Sequence, residues 1–453
     1  MKTLKEIAVA KGLDIALEYL DRDIERNLPK LVDWAEKFDI NGNIKKELNV
    51  VKRTVLQPGN NWNQYIINIW NTIDLRVIKK FFTNFIVYSN ILGKTKRLEV
   101  AGQNQCNVPW AILLDPTASC NLKCIGCWAS EYDTKTSMSF ETLDRIVRQG
   151  KEMGTYMYIF TGGEPLVRKG DVIKLCEKHD DCQFMAFTNG TLIDEAFAEE
   201  MLRVKNFIPA ISLEGFEEDT DARRGKGTFQ SIMRAMKILR DKRLPFGASC
   251  CYTRQNTETI GSEAFFNFLL EQGCLFTWLF TYMPVGVDAV PDLMVTADQR
   301  EFMYHQVRKF RKSKPIFTMD FWNDGEYVDG CIAGGRCYLH INANGDIEPC
   351  AFIHYSDTNI HNNTLLDAYK APLFQAYRKY QPFNANMLQP CPLLDNPDML
   401  QKMVLESNSY STDLKDPEDV RDLCNKCREA AGSWAETAGR LWNEADRHCT
   451  LHE

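Results

Sequence analysis

Between residues 108 and 286 the chain alternates short apolar runs with loops and amphipathic helical stretches, and that alternation constrains its fold more than any other feature. The runs are WAILLD (110–115), MYIF (157–160), QFMAF (183–187), FIPAISL (207–213), FGASCCYT (246–253) and FTWLFTYMPVG (276–286). Between them lie stretches such as SFETLDRIVRQGKEM, GDVIKLCEKH and TFQSIMRAMKILRDK, with apolar residues at helical spacing. Strands that alternate with helices predict parallel strands joined by helical crossovers. Six such units in about 200 residues suit a partial (β/α)6 TIM-like barrel, of class α/β, better than a closed eightfold one. In that architecture the loops at the C-terminal strand ends build the functional site.

The flanks differ from this middle. Residues 1–105 read as a helical N-terminal region, with apolar residues at three- and four-residue intervals interrupted by Gly12 and Pro29. Its second apolar segment, 62–93, is aromatic and carries Lys79 and Lys80 at its centre. The plainer reading is a helix packed on the rest of the protein. The alternative is an interfacial helix that makes peripheral contact with a membrane or approaches a lipid substrate. Residues 106–314 hold the barrel pattern, and 315–453 form a cysteine-rich C-terminal domain with a helical tail. That domain begins with a hairpin, YLHIN–ANGD–IEPC, whose tight turn falls at Asn344-Gly345.

The net charge of −7 gives no reason to expect a nucleic-acid partner. No run of about 18 apolar residues occurs, and the N-terminus lacks a secretory apolar region. Sixteen cysteines in such a chain read as reduced thiolates that serve metal clusters, not as a disulfide framework. The reading is a cytoplasmic, reducing and anaerobic setting.

Chemistry gathers after the strands. Cys120, Cys124 and Cys127 follow the first, in SCNLKCIGCW. Three thiolates on one short loop is the number that holds a cubane 4Fe–4S cluster while leaving one iron without a protein ligand. An open coordination position lets a metal site act on a bound molecule. Trp128 comes directly after. Gly162-Gly163-Glu164-Pro165 follows the second strand, with glycines that admit close backbone approach and a carboxylate that can accept from an ammonium group. Thr188-Asn189-Gly190 follows the third, and Ser212-Leu213-Glu214-Gly215 the fourth. Arg223 and Arg224, in DARRGKGTF, bring paired donors suited to a carboxylate. Singly, each of these elements is also what a turn or a helix cap uses.

In this order and placement the motifs resemble those of the radical S-adenosylmethionine (SAM) enzymes. The resemblance implies SAM chelating the fourth iron of the cluster through its amino and carboxylate groups. It implies that Trp128 packs near the adenine, that Gly162, Gly163, Glu164 and Pro165 receive the methionyl amine, and that Asn189 and Ser212 border the pocket. Arg224, or its neighbour Arg223, would pair with the SAM carboxylate. The family's usual Ser-Leu-Asp-Gly reads Ser-Leu-Glu-Gly here, lengthening the acid by one methylene. The implied reaction is reductive cleavage of SAM to a 5′-deoxyadenosyl radical that takes hydrogen from a substrate at the barrel mouth. A flavodoxin- or ferredoxin-type protein would supply the electron.

Cys331, Cys337 and Cys350, with Gly345 at the hairpin turn, resemble the start of a SPASM auxiliary-cluster domain. One auxiliary iron–sulfur cluster is implied on these three and one later cysteine: Cys391 in PCPLL, or a member of the Cys424/Cys427 pair. A second cluster would need most of Cys391, Cys424, Cys427 and Cys449, and the dense cysteine run of a full SPASM domain is missing. Zinc on the late cysteines is the competing reading. Cys176, Cys182, Cys250, Cys251 and Cys274 read as core packing, and Cys106 has no assigned place. His340 and His354 flank the hairpin.

SPASM enzymes commonly modify peptides or proteins, so peptide or protein maturation is the first reading. Residues 1–105 do not read as a winged-helix leader-binding module, and Ala351 after Cys350 disfavours sulfatase maturation. A lipid or small apolar metabolite is the second reading, motivated by segment 62–93. An iron–sulfur electron carrier is the non-enzyme alternative; it would have no use for an amine and carboxylate pocket.

Overall fold

The computed structural model describes residues 4–38, 45–129, 136–286 and 288–446; Cys449, invoked above for a second cluster, lies outside the described residues. The expected strands form β1 (Ala111–Leu114), β2 (Met157–Phe160), β3 (Gln183–Thr188), β4 (Phe207–Ser212), β5 (Gly247–Tyr252) and β6 (Phe276–Thr281). They pair in sequence order, all parallel. Every residue of β1 and β2 is buried. That is why these strands read as continuous apolar runs: a parallel sheet is covered on both faces. The first crossover starts from an ordinary cap. Ser139 accepts from Thr142 N and opens helix Phe140–Glu152, which buries Leu143, Ile146 and Val147 at three- and four-residue spacing against the sheet.

The sheet runs further than the six strands expected. A seventh, β7 (Phe317–Asp320), adds parallel to β6. Its sequence FTMD exposes Phe317 and buries Asp320, so no apolar run marks it. On the opposite edge β8 (Tyr338–Ile341) pairs parallel with β1, placing Ala111 opposite Tyr338 and Leu114 opposite Ile341. β9 (Ile347–Glu348) then pairs antiparallel with β8. The hairpin has its expected turn: Asn342 Oδ1 accepts from the N–H groups of Asn344 and Asp346, and Gly345 has φ +91°. A Cβ on Gly345 would also lie 2.8 Å from His361 Cδ2, so the turn needs glycine. The sheet order is β7-β6-β5-β4-β3-β2-β1-β8-β9.

The N-terminal region is helical: α1 (Leu4–Arg22), α2 (Ile24–Phe38), α3 (Lys45–Arg53), α4 (Asn61–Thr72) and α5 (Leu75–Phe81), a π-helix Phe82–Leu92, and α6 (Gly93–Asn104). Gly12 and Pro29, expected as interruptions, lie inside α1 and α2. Segment 62–93 packs on the barrel. Trp62 lies against Phe317 at 6.2 Å between ring centroids, and Phe85 lies edge-on to Trp110 at 5.7 Å. Fully buried Asn84 donates to the carbonyls of Asp180 and Cys182 at 2.9 and 2.7 Å. For this segment the packed reading replaces the interfacial one.

Candidate active site

The loop that carries Cys120, Cys124 and Cys127 leaves the C-terminal end of β1 and is fastened on three sides. Gly126 has φ +63°, and a Cβ there would lie 2.6 Å from Tyr282 Oη, so this position of the loop requires glycine. Ile125 N donates to the Arg223 carbonyl at 2.9 Å, and Arg223 Nε donates back to the Ile125 carbonyl at 3.2 Å. Asn189 Nδ2 donates to Asn121 Oδ1 at 2.8 Å. The three thiols then border one cavity of about 210 Å³, together with Trp128, Gly162, Gly163 and Glu164. Burial pushes the Cys120 thiol up to about 12, with Cys124 and Cys127 among the groups that oppose its ionisation. Leu122 N donates to Cys120 Sγ at 3.4 Å, and Arg224 Nη1 approaches Cys124 Sγ at 3.9 Å. Convergent thiols with N–H donors aimed at the sulfurs are the donor set a cluster needs, so the residues present fit one.

Gly163 is where the second motif meets the first. A Cβ on it would fall 2.3 Å from the Ser119 carbonyl oxygen, and Glu164 N donates to that same oxygen at 2.9 Å. Glu164 itself is 1% exposed. Its Oε1 accepts from Leu166 N (2.9 Å) and Thr188 Oγ1 (2.7 Å), and its Oε2 from Asn189 N (2.7 Å). The carboxylate expected to meet an ammonium group therefore also ties the β2 loop to the end of β3. Burial raises its pKa despite these donors.

Arg223 and Arg224, both candidates for a bound carboxylate, already share one inside the chain. Glu214 is fully buried; Arg223 Nη1 reaches its Oε2 at 2.7 Å and Arg224 Nε its Oε1 at 2.8 Å. Burial works against the Glu214 carboxylate, but the two guanidinium groups outweigh it and hold its pKa below the ordinary value. Two cations on one anion leave the cluster of three with a net positive charge beside Cys124. Ser212, at the end of β4, also lines the cavity.

Aromatic rings line the same cavity: Trp110, Phe187, Trp278, Phe280, Phe321 and Phe352. Ser249 and Cys251, both on β5, line the cavity as well, whereas Cys250 between them is buried on the other face. Cys251, read from sequence as packing, thus belongs to the site. The signal was present in the period-two alternation of β5, whose Ser249 stands in register with Ser212.

Residues 114–261 match the family model described as the radical SAM superfamily. The chain carries a radical SAM domain. Radical SAM proteins are enzymes, and their cofactors are a 4Fe–4S cluster and SAM. Among curated relatives, an AdoMet-dependent heme synthase of Nitratidesulfovibrio vulgaris is 25% identical over 304 residues, covering 60% of this chain and 82% of that protein. A PqqA peptide cyclase of Granulibacter bethesdensis is 24% identical over 291 residues, covering 60% of this chain and 76% of that one. The crystal structure of Streptococcus suis SuiB bound to S-adenosylmethionine superposes with a TM-score of 0.54 at 18% identity, over 66% of this chain and 76% of that one. That last likeness concerns the fold.

Beyond the radical SAM domain the structure sorts the late cysteines. Cys331, Cys350 and Cys391 border a second cavity of about 160 Å³. Tyr338 Oη lies 2.7 Å from Cys350 Sγ, and Cys391 Sγ accepts from Leu394 N at 3.3 Å. Cys424 and Cys427 are fully buried three residues apart on helix Val420–Asp446, with Cys391 among the groups that oppose ionisation of Cys427. Burial pushes the Cys350 thiol up to about 12 and Cys391 to about 11. Cys337, expected with Cys331 and Cys350, instead lines the first cavity, where burial raises its thiol against the pull of Arg336 and Arg97. It stands just before β8, at that strand's N-terminal end.

Proposed function

We propose that this chain is a radical SAM oxidoreductase that takes hydrogen from a peptide or protein substrate, admitting one apolar side chain into the cavity beside Cys120, Cys124 and Cys127. The observation that carries this reading is the mixed cavity, bordered by three thiols, glycines and a guanidinium pair together with aromatic rings. Cys120, Cys124 and Cys127 would hold the cluster, and Trp128, Gly162–Pro165, Asn189, Ser212 and Arg224 would surround SAM. Bound there, the reduced cluster and SAM would supply a 5′-deoxyadenosyl radical.

The chain's own residues do the positioning. Glu164 spends three of its roughly four lone-pair positions on Leu166, Thr188 and Asn189, which leaves one on Oε2 for an ammonium group. The surplus positive charge of Arg223 and Arg224 over Glu214 favours a carboxylate at the same end of the cavity. The aromatic wall excludes water from a reactive intermediate and offers dispersion contacts to an apolar group. The second cavity, bordered by Cys331, Cys350 and Cys391, would hold one auxiliary cluster, with Cys427 as the fourth ligand beside Cys391. A flavodoxin- or ferredoxin-type electron donor and a cytoplasmic setting belong to the same reading.

Anaerobic reconstitution tests it. Wild type with dithionite and SAM should release 5′-deoxyadenosine, and the C120A/C124A/C127A variant should release none. Peptides with aromatic or aliphatic side chains should accelerate that release and gain a mass change. Acceleration by lipid or small apolar metabolites, with none by any peptide, would replace the peptide reading with the apolar-metabolite one.

A further inference from the structure

Two tyrosines from different elements border the cavity of Cys331, Cys350 and Cys391. Tyr338 comes from β8 and Tyr377 from helix Pro372–Tyr380, and both are buried. Their hydroxyls differ in what they meet. Tyr338 Oη lies 2.7 Å from Cys350 Sγ, to which Phe352 N also donates at 3.5 Å. Tyr377 Oη is shielded from solvent, and among the described residues no hydrogen-bond partner reaches it. A buried hydroxyl without an acceptor is costly, so few are left that way.

The surroundings of Tyr377 show what class of acceptor suits it. Burial, and after it Cys331, Cys350, Cys391 and Cys424, oppose ionisation of its hydroxyl, so the O–H lies within electrostatic reach of four thiols. The ring is held in that place. Gly334, at φ +64°, passes so close that a Cβ on it would lie 2.5 Å from Tyr377 Cβ, and Phe383 stands edge-on at 5.4 Å between ring centroids. Gly334 N donates to the Pro349 carbonyl at 2.9 Å, which ties the loop after Cys331 to the residue before Cys350. A fixed hydroxyl among thiols, with no acceptor from the protein, is complementary to the inorganic sulfide of a cluster. Tyr338 has the matching relation to a ligand sulfur. A cysteine that binds iron does so as a thiolate without a proton, so the hydroxyl is the donor in that contact. Donors to cluster sulfur favour the more negative, reduced state and so raise the reduction potential.

We infer that Tyr338 and Tyr377 set the reduction potential of the auxiliary cluster, Tyr338 by donating to Cys350 Sγ and Tyr377 by donating to a sulfide of the cluster. This rests on the reading that the second cavity holds one cluster, and adds to it two residues that tune the cluster without binding iron.

The test is a potentiometric titration followed by electron paramagnetic resonance, on the full, reconstituted C120A/C124A/C127A chain so that only the auxiliary cluster responds. That protein should hold about four irons, at one cubane per site. Y338F and Y377F, each introduced into it, should retain those irons and shift the midpoint to a more negative potential. The Y338F/Y377F pair should shift it furthest, by about tenfold in the reduced-to-oxidised ratio at fixed potential, or about 59 mV for one electron. Y369F is the control: Tyr369 Oη is likewise buried and unpartnered among the described residues but does not line the second cavity, so its loss should leave the midpoint in place. A merely structural role would cost iron without moving the potential of what remains. An unchanged midpoint or a loss of iron in either single variant, or an equal shift in Y369F, would overturn the inference. Absence of iron from C120A/C124A/C127A, with about four in wild type, would instead overturn the auxiliary-cluster reading and the inference with it.

Discussion

His340 lies fully buried between two carboxylates, with Asp115 Oδ1 2.8 Å from one ring nitrogen and Glu348 Oε2 2.5 Å from the other. Burial disfavours the charged ring, but the two carboxylates outweigh it and raise the pKa to about 10. His354 repeats the arrangement with Asp413 at 2.7 Å and is raised to about 9. Both rings pack against Trp128, at 5.8 and 6.1 Å between centroids, so the C-terminal hairpin braces the tryptophan of the cysteine loop. The sequence marked the two histidines only as flanking the hairpin, because Asp115 lies far from His340 in the chain and no local spacing announces the pair. A folded pKa above the unfolded value of about 6.5 contributes stability that is fully present below pH 6.5 and lost as pH rises through about 9 to 10. The urea midpoint of wild type should therefore fall between pH 7 and 10, and that of H340Q should start lower and fall less. Parallel profiles for the two proteins would show that His340 carries no such linkage.

At the scale of elements, the pairing of β8 with β1 decides how the chain is divided. Leu339 and Ile341 on β8 are fully buried in the same core as Ile112 and Leu114 of β1. Residues 106–314 and 315–453 consequently share one sheet and one core. The hairpin itself was legible, because Asn344-Gly345 between apolar runs is a local signal. Its parallel partner was not, since parallel pairing joins distant segments and leaves no mark in either one. β7 was hidden for a different reason, a four-residue strand with an exposed Phe317 and a buried Asp320. Leu339→Ala should cost about 2–5 kcal/mol, the usual range for a fully buried leucine. More telling, unfolding of L339A should remain a single transition by probes in both regions. Two separated transitions would show that β8 does not couple them.

Across the whole molecule, two thiol-bordered cavities stand back to back. Trp278, Met283, Phe321, Ile332, Tyr338 and Phe352 line both, so one aromatic wall separates Cys120, Cys124 and Cys127 from Cys331, Cys350 and Cys391. The first trio was readable as a unit because its members lie within eight residues and follow a strand. The second was only partly readable: spacing grouped Cys331, Cys337 and Cys350, whereas in the fold Cys337 lines the first cavity and Cys391 lines the second beside Cys331 and Cys350. Iron counts discriminate these groupings. Reconstituted wild type should hold about eight irons, and C120A/C124A/C127A about four, at one cubane per site. C391A should lose the auxiliary share as fully as C331A does. C337A should keep it, because Cys337 lines the first cavity and not the second. If C337A instead falls to about four irons while C391A retains about eight, the auxiliary ligands are those the spacing alone suggested.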